Sequence, residues 1–215
     1  MRLKNITKKY GDKIVYDNFS FDFEENKITA VLGESGSGKT TLLKIIASLT
    51  DYTGETEKPS DKISFIFQEN RLIPNLTVKE NLSLVCKNQD LSFALEKAGL
   101  KEAQNLYPKS LSAGMSRRVA VLRGLLYDAP LVLMDEPFTN LDVALKYSLM
   151  DMVKETQKNS KKTMIFVTHD IAEATYLADK IAVIAHGKIV KQINEITPET
   201  QNELLMFMMN IGSVN

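Results

Sequence analysis

Alternation sets the pattern near the start of the chain. In FSFDFEE, Phe19, Phe21 and Phe23 fall on one face and Ser20 and Asp22 on the other, the period-2 spacing of a half-buried strand. The first 30 residues read as strands, with a turn at Glu25-Asn26 before the short apolar run KITAVLG. After a Gly-rich loop the period becomes helical from about Lys39 to Leu49, and KISFIFQ (62–68) restores a strand that Gln68 closes. Between Asn70 and about Tyr107, NLTVKENLSLV and LSFALEKAGL are helical patterns, and Thr77 with Glu80 three residues on marks an N-terminal cap. A helix from Ser112, the strand LVLMD, a helix after Asp142, the strand TMIFVT, another helix and a hairpin turning at His186-Gly187 follow. The tail ELLMFMMNIG predicts a packed terminal helix, with a partner-binding stripe as the alternative. Apolar strands alternating with helices predict an α/β fold whose parallel sheet is covered on both faces.

Composition narrows the functional classes. With 215 residues, 44% of them hydrophobic, the chain can build one large domain, or one domain with a small insert. The 27 basic and 27 acidic residues cancel, so no nucleic-acid partner is expected. A single cysteine, Cys86, excludes an internal disulfide and a Cys-based zinc site, and fits a reducing compartment. The N-terminal stretch lacks the apolar core of a signal peptide, and no run approaches a membrane span. A soluble cytosolic chain is expected, serving a membrane only through a partner.

Candidate chemistry concentrates at strand ends. GESGSGKT, spanning Gly33, Glu34, Ser35, Gly36, Ser37, Gly38, Lys39 and Thr40, fits G-x-x-x-x-G-K-[ST] between a predicted strand and a predicted helix. Glycines let the backbone wrap a phosphate with its N–H groups inward. Lys39 supplies a positive charge for the β- and γ-phosphates, Thr40 a hydroxyl for Mg²⁺, and Thr41 a further polar contact. LVLMDE ends a buried strand in Asp135, placed to hold Mg²⁺, with Glu136 just beyond as the candidate general base. Gln68 can reach metal and water, and His169, also at a strand end, can orient water or contact the γ-phosphate. His186, in the hairpin turn, is assigned no role.

LSAGMSRRVA (111–120) holds no base, nucleophile or metal ligand, yet Ser112 is a good N-cap whose helix-start amides suit an anion. Tyr10, GESGSGKT, Gln68, LSAGM, LVLMDE, TNLD and His169 occur in one order, and that order resembles the ATP-binding cassette (ABC) transporter ATPase family over essentially the whole chain. LSAGM resembles the signature usually written LSGGQ. Met115 in place of Gln, and FQENRLIPNLTVKENL, resemble importer ATPases of the nitrate, sulfonate, taurine and thiamine-precursor group.

The resemblance implies a P-loop NTPase with a mostly parallel core sheet, an N-terminal antiparallel β subdomain and a small helical subdomain at about 70–125, all in one ABC ATPase domain, 1–215. It implies that Tyr10 stacks on adenine, that Asp135 and Glu136 are the Walker B pair, that Gln68 is the Q-loop and that His169 is the switch histidine. Asp142 matches the D-loop at a dimer seam, and Ser112, Ala113, Gly114 and Met115 the signature that meets ATP held by a second copy. Ala113 stands where the family has glycine, which matters if that position requires positive φ. Arg117 and Arg118 are expected to stabilise the helix and its surroundings. The implied activity is ATP hydrolysis with Mg²⁺ by an ATP-dependent homodimer powering a membrane importer. Permease subunits would dock beside Gln68 and the helical insert, with Arg71, Leu72, Ile73 and Pro74 as candidate contacts. A solute-binding protein belongs to such a system, and the chain would lie on the cytoplasmic face of the membrane. An exporter or lipoprotein-release ATPase, and a non-transport ABC ATPase, are the alternatives.

Overall fold

A computed structural model describes residues 1–86 and 90–212. Strands β1 (Arg2–Tyr10), β2 (Lys13–Asp22) and β3 (Ile28–Leu32) lead to helix α1 (Lys39–Ile46) and strand β4 (Thr53–Glu57). Strand β5 (Ile63–Ile66) precedes α2 (Val78–Ser83), α3 (Ser92–Lys97), a short 3₁₀ turn and α4 (Ala113–Leu126). Then follow β6 (Leu131–Asp135), α5 (Val143–Ser160), β7 (Thr163–Thr168), α6 (Ile171–Leu177), β8 (Lys180–Ala185), β9 (Lys188–Ile193) and α7 (Thr200–Gly212). They form two compact units, one of Met1–Pro59 with the chain from Ile165 onward, the other Ser60–Met164.

In the first unit, β1 pairs antiparallel with β2 and with β4. The alternation of the sequence holds, with Phe19 and Phe23 buried and Ser20 and Asp22 exposed. It breaks once, at Asn18, whose φ of 53° turns both Tyr16 and Phe19 inward, where their rings lie 4.8 Å apart. The same unit holds β3 parallel to β8, with β9 antiparallel at the hairpin. Strand β3 is buried at all five positions, the signature of a strand covered on both faces.

In the second unit, β5 pairs parallel with β6, and β6 is again buried throughout. The cap foreseen at Thr77 is a full capping box: its hydroxyl accepts from the Glu80 amide, and the Glu80 carboxylate accepts from the Thr77 amide at 2.7 Å. Buried Asn81 then pins the preceding loop, accepting from the Ile73 amide and donating to the carbonyls of Ile73, Leu76 and Thr77.

Two expected boundaries move. Helix α1 stops at Ile46 rather than Leu49, because Ser48 turns left-handed (φ 57°) and the Leu49 amide closes back on the Lys44 carbonyl. Strand β5 ends at Ile66, two residues before Gln68, because the Phe67 and Gln68 carbonyls are taken by Arg117.

Candidate functional site

The phosphate loop is shaped by close backbone approach. A Cβ at Gly33 would stand 2.5 Å from the Ile184 carbonyl, and the Gly33 amide donates to the Thr168 carbonyl at 3.3 Å. Gly38 has φ 105°, and a side chain there would collide with Tyr16, whose hydroxyl donates to the Gly38 carbonyl at 2.8 Å. Burial pushes the Tyr16 pKa up, so it stays a neutral donor. Helix α1 starts at Lys39 without a side-chain cap, leaving its first amides for whatever the loop encloses. Lys39 is buried, and its ammonium donates to the Gly33 carbonyl at 2.7 Å and the Glu34 carbonyl at 2.8 Å. The Ser37 hydroxyl is buried without a hydrogen-bond partner, in a loop built for an acceptor-rich guest. Thr40 and Thr41 follow, both half-buried, and Glu34, Ser35 and Gly36 are exposed. A cavity of about 370 Å³ borders Glu34–Ser37, with Val15, His186 and Met208 among its other walls.

Tyr10 is about half exposed at the end of β1, with the Lys8 ammonium 4.4 Å from its ring centre. Burial raises its pKa, but hydrogen bonds with Thr50 and Thr41 and the charges of Lys8 and Lys44 bring it below the usual value. His169 is exposed between β7 and α6. Its neighbours fix the backbone there: the Thr168 hydroxyl accepts from the Asp170 amide and donates to buried Glu173 at 2.6 Å, and Asp170 caps α6.

The second unit holds the acidic pair. Asp135 is 3% exposed at the end of β6, and Glu136 follows at φ 44°, a left-handed conformation costing about 1–3 kcal/mol for a non-glycine residue. Thr139, whose hydroxyl donates to the Glu136 carbonyl at 3.0 Å, and Arg117 together over-determine it. The Arg117 Nε donates to the Pro137 carbonyl, Nη2 to those of Asp135 and Glu136, and Nη1 to those of Phe67 and Gln68, at 2.5–3.2 Å. Burial draws the guanidinium down to about 10, opposed by the charges of Asp135 and Glu136, so it stays cationic at neutral pH. Gln68 itself is exposed.

Ser112 caps α4 as expected, its hydroxyl accepting from the Met115 amide at 3.1 Å. Ala113 is the first helical residue and has no positive φ, so its methyl is not strained. Gly114 also has no positive φ, and a Cβ there would make only ordinary 3.6 Å contacts with Asn140 and Leu141. Asp142 is exposed and caps α5, accepting from the Leu145 amide at 3.0 Å. Arg71 stacks over the Phe67 ring at 3.6 Å, and Phe67 stacks on Phe65 at 4.1 Å. These residues wall a groove of about 280 Å³ that also takes in Asn70, Arg123 and Tyr127.

The ABC transporter family model matches residues 16–139. The aliphatic sulfonates import ATP-binding protein SsuB of a Bacillus cereus strain is 41% identical over 211 residues, covering 91% of this chain and 84% of that one. The chain belongs to the ABC transporter family. A second such ABC protein, SsuB 3 of Paraburkholderia xenovorans, is 34% identical over 99% of this chain and 88% of its own. Among solved ABC structures, the dimeric post-hydrolysis state of the ATP-binding cassette MJ0796 bound to ADP and Pi superposes with a TM-score of 0.77 at 31% identity, covering 89% of this chain and 97% of that one. The fold is therefore that of an ABC cassette, mixed α/β with an antiparallel N-terminal sheet and a mostly parallel core sheet.

The structural duty expected of Arg117 and Arg118 holds, whereas that of Tyr16 leaves no trace in the sequence pattern. Tyr16 was hidden because the Asn18 kink breaks the alternation that would have shown it facing inward. The arginines of α4 did leave a trace, since Arg117, Arg118 and Arg123 interrupt an otherwise apolar helix. Arg118 donates to the Ala98 and Gly99 carbonyls at the end of α3, and Arg123 to those of Asn70 and Arg71. Strand β4 gave no signal, having no apolar alternation and little burial.

Proposed function

We propose that this chain is the ATP-binding and ATP-hydrolysing subunit of a membrane importer, acting as an ATP-driven dimer of identical chains. The observation that carries the reading is the phosphate loop, with Lys39 drawn across it, the uncapped start of α1 and the orphaned Ser37 hydroxyl. Its residues fit a triphosphate, which would satisfy the amides, Ser37 and the ammonium together. Tyr10 would stack on the adenine. Thr40, Asp135 and Gln68 would hold Mg²⁺. No cluster of three His, Cys, Asp or Glu exists among the described residues, and Mg²⁺ commonly takes one or two carboxylates plus substrate phosphates. Bound there, the ion would neutralise charge developing on the phosphate oxygens.

Glu136 would accept the proton of the attacking water, with Gln68 and His169 orienting that water and the γ-phosphate. The turn Ser112, Ala113, Gly114, Met115 would meet the γ-phosphate held by a second copy, with Asp142 at the seam. The dimeric MJ0796 cassette supports the pairing of two copies. The groove at Phe67 and Arg71 would receive permease subunits, and a solute-binding protein would complete the importer. No helix among the described residues is long and apolar enough to cross a membrane, so attachment to the cytoplasmic face would run through those permeases. The importing direction rests on the sulfonate-import relatives.

Glu136→Gln tests the chemistry. The variant should bind ATP as wild type does, lose turnover by on the order of 100-fold or more, and accumulate as an ATP-bound dimer in sedimentation. Wild-type turnover in that variant would remove Glu136 from the role of base.

A further inference from the structure

A guanidinium has five N–H donors in one rigid plane, and Arg117 directs each onto a different main-chain carbonyl. Such saturation is demanding, because a buried arginine with any donor unmet would lose most of what its hydrogen bonds contribute. The five acceptors belong to two separate stretches of chain. Phe67 and Gln68 begin the loop after β5, and Asp135, Glu136 and Pro137 close β6 and begin the next turn. Neither stretch is joined to the other by strand pairing at those residues, since the β5–β6 ladder runs only from Ile63↔Leu131 to Ile66↔Met134. Beyond that last pair the guanidinium continues the connection in place of a ladder.

The side chains concerned are those assigned above to water and metal. Gln68 and Glu136 project from backbone whose carbonyls Arg117 grips directly, and Glu136 is held at φ 44° with its carbonyl bonded at 2.8 Å. Arg117 also rides on α4, as the fifth residue of the helix that Ser112 opens. A shift of that helix along its axis would act on both loops through one rigid group.

We propose that Arg117 is the positioning residue of the hydrolytic site, fixing Gln68 and Glu136 relative to each other and tying both to the signature helix. The proposal rests on the functional reading above. It predicts a defect in turnover without a defect in nucleotide capture, because the capture residues Tyr10 and Gly33–Thr41 make none of these bonds. A misplacement of about 1 Å costs rate on the order of 100-fold in a positioned reaction. Lysine keeps the charge with three donors in place of five, and glutamine keeps only two.

The test compares Arg117→Lys and Arg117→Gln with the wild-type chain in steady-state ATP hydrolysis, nucleotide binding by fluorescence and thermal melting. The expected result is a fall in kcat on the order of 10- to 100-fold, larger for Gln than Lys. KM for ATP and the affinity for a fluorescent ATP analogue should stay within about threefold of wild type. Should the Gln variant fail to fold, the Lys variant, with charge and length preserved, carries the comparison. A folded Lys variant with wild-type kcat overturns the proposal, and so does a rise in KM that accounts for all the lost activity. A wild-type chain that binds but never hydrolyses Mg·ATP overturns the functional reading instead, independently of Arg117.

Discussion

A methyl group at position 113 is the one place where the signature turn departs from glycine, and its conformation removes the concern. Ala113 is the first residue of α4, without positive φ, and its side chain is exposed. Nothing in the chain's own backbone requires glycine there. Ala113→Gly should therefore leave ATP turnover within about twofold and lower stability by no more than the roughly 1 kcal/mol that separates the two residues in a helix. A several-fold rise in turnover, measured alongside a thermal melt, would show that the methyl obstructs a second molecule. Lys39, Asp135 and Ser112 were legible in the sequence because each declares itself through its neighbours: a glycine pattern, an apolar strand, a cap. The stabilising duty expected of Arg117 holds, but its partners, like the contact of Tyr16, were not legible, because both side chains act on main-chain carbonyls. Which carbonyls a side chain reaches depends on how distant segments close, and carbonyls carry no sequence identity.

Elements with strong local chemistry were the readable ones. The Thr77–Glu80 box fixed the start of α2 to the residue, and the apolar runs of β3, β6 and β7 announced strands buried on both faces. Strand β4 was missed because its five residues, TGETE, are mostly exposed and show no apolar alternation, pairing on a sheet edge through the backbone and the Lys4–Glu57 ion pair. The tail shows why amphipathicity alone is ambiguous: α7 buries Leu204 completely while Leu205, Met206 and Met209 are exposed, so apolar residues fall on both a buried and an exposed face. The capping box gives this scale its prediction. Helix α2 has six residues, too short to persist on propensity, so its cap carries a large share of its local stability. Thr77→Ala should destabilise the protein by about 1 kcal/mol, and Thr77→Ser by much less. For a chain of this size that is a fall of roughly 2–4 °C in Tm. Equal melting of the Ala variant and wild type would mean that Asn81 alone holds the loop and helix in place.

At the scale of the whole molecule, each chain carries a phosphate loop and a signature turn, and the proposed dimer pairs each with the other's complement. Two-fold symmetry then makes two equivalent composite sites. Gly114 offers a way to damage one half without damaging the fold. A Cβ there has room, and a carboxylate in the first turn of α4 favours the helix dipole while repelling a phosphate presented to the same amides. Gly114→Asp should fold at least as stably as wild type yet fail to associate on ATP addition. Lys39→Ala should also fail, through the phosphate loop. In a Glu136→Gln background that suppresses turnover, the two defective chains mixed together can still form one intact site, from the Gly114→Asp chain's phosphate loop and the Lys39→Ala chain's signature turn. ATP-dependent association, followed by energy transfer between differently labelled chains, should therefore appear in the mixture and in neither chain alone. If both halves acted within one molecule, mixing would recover nothing, since each chain would still hold its own broken site.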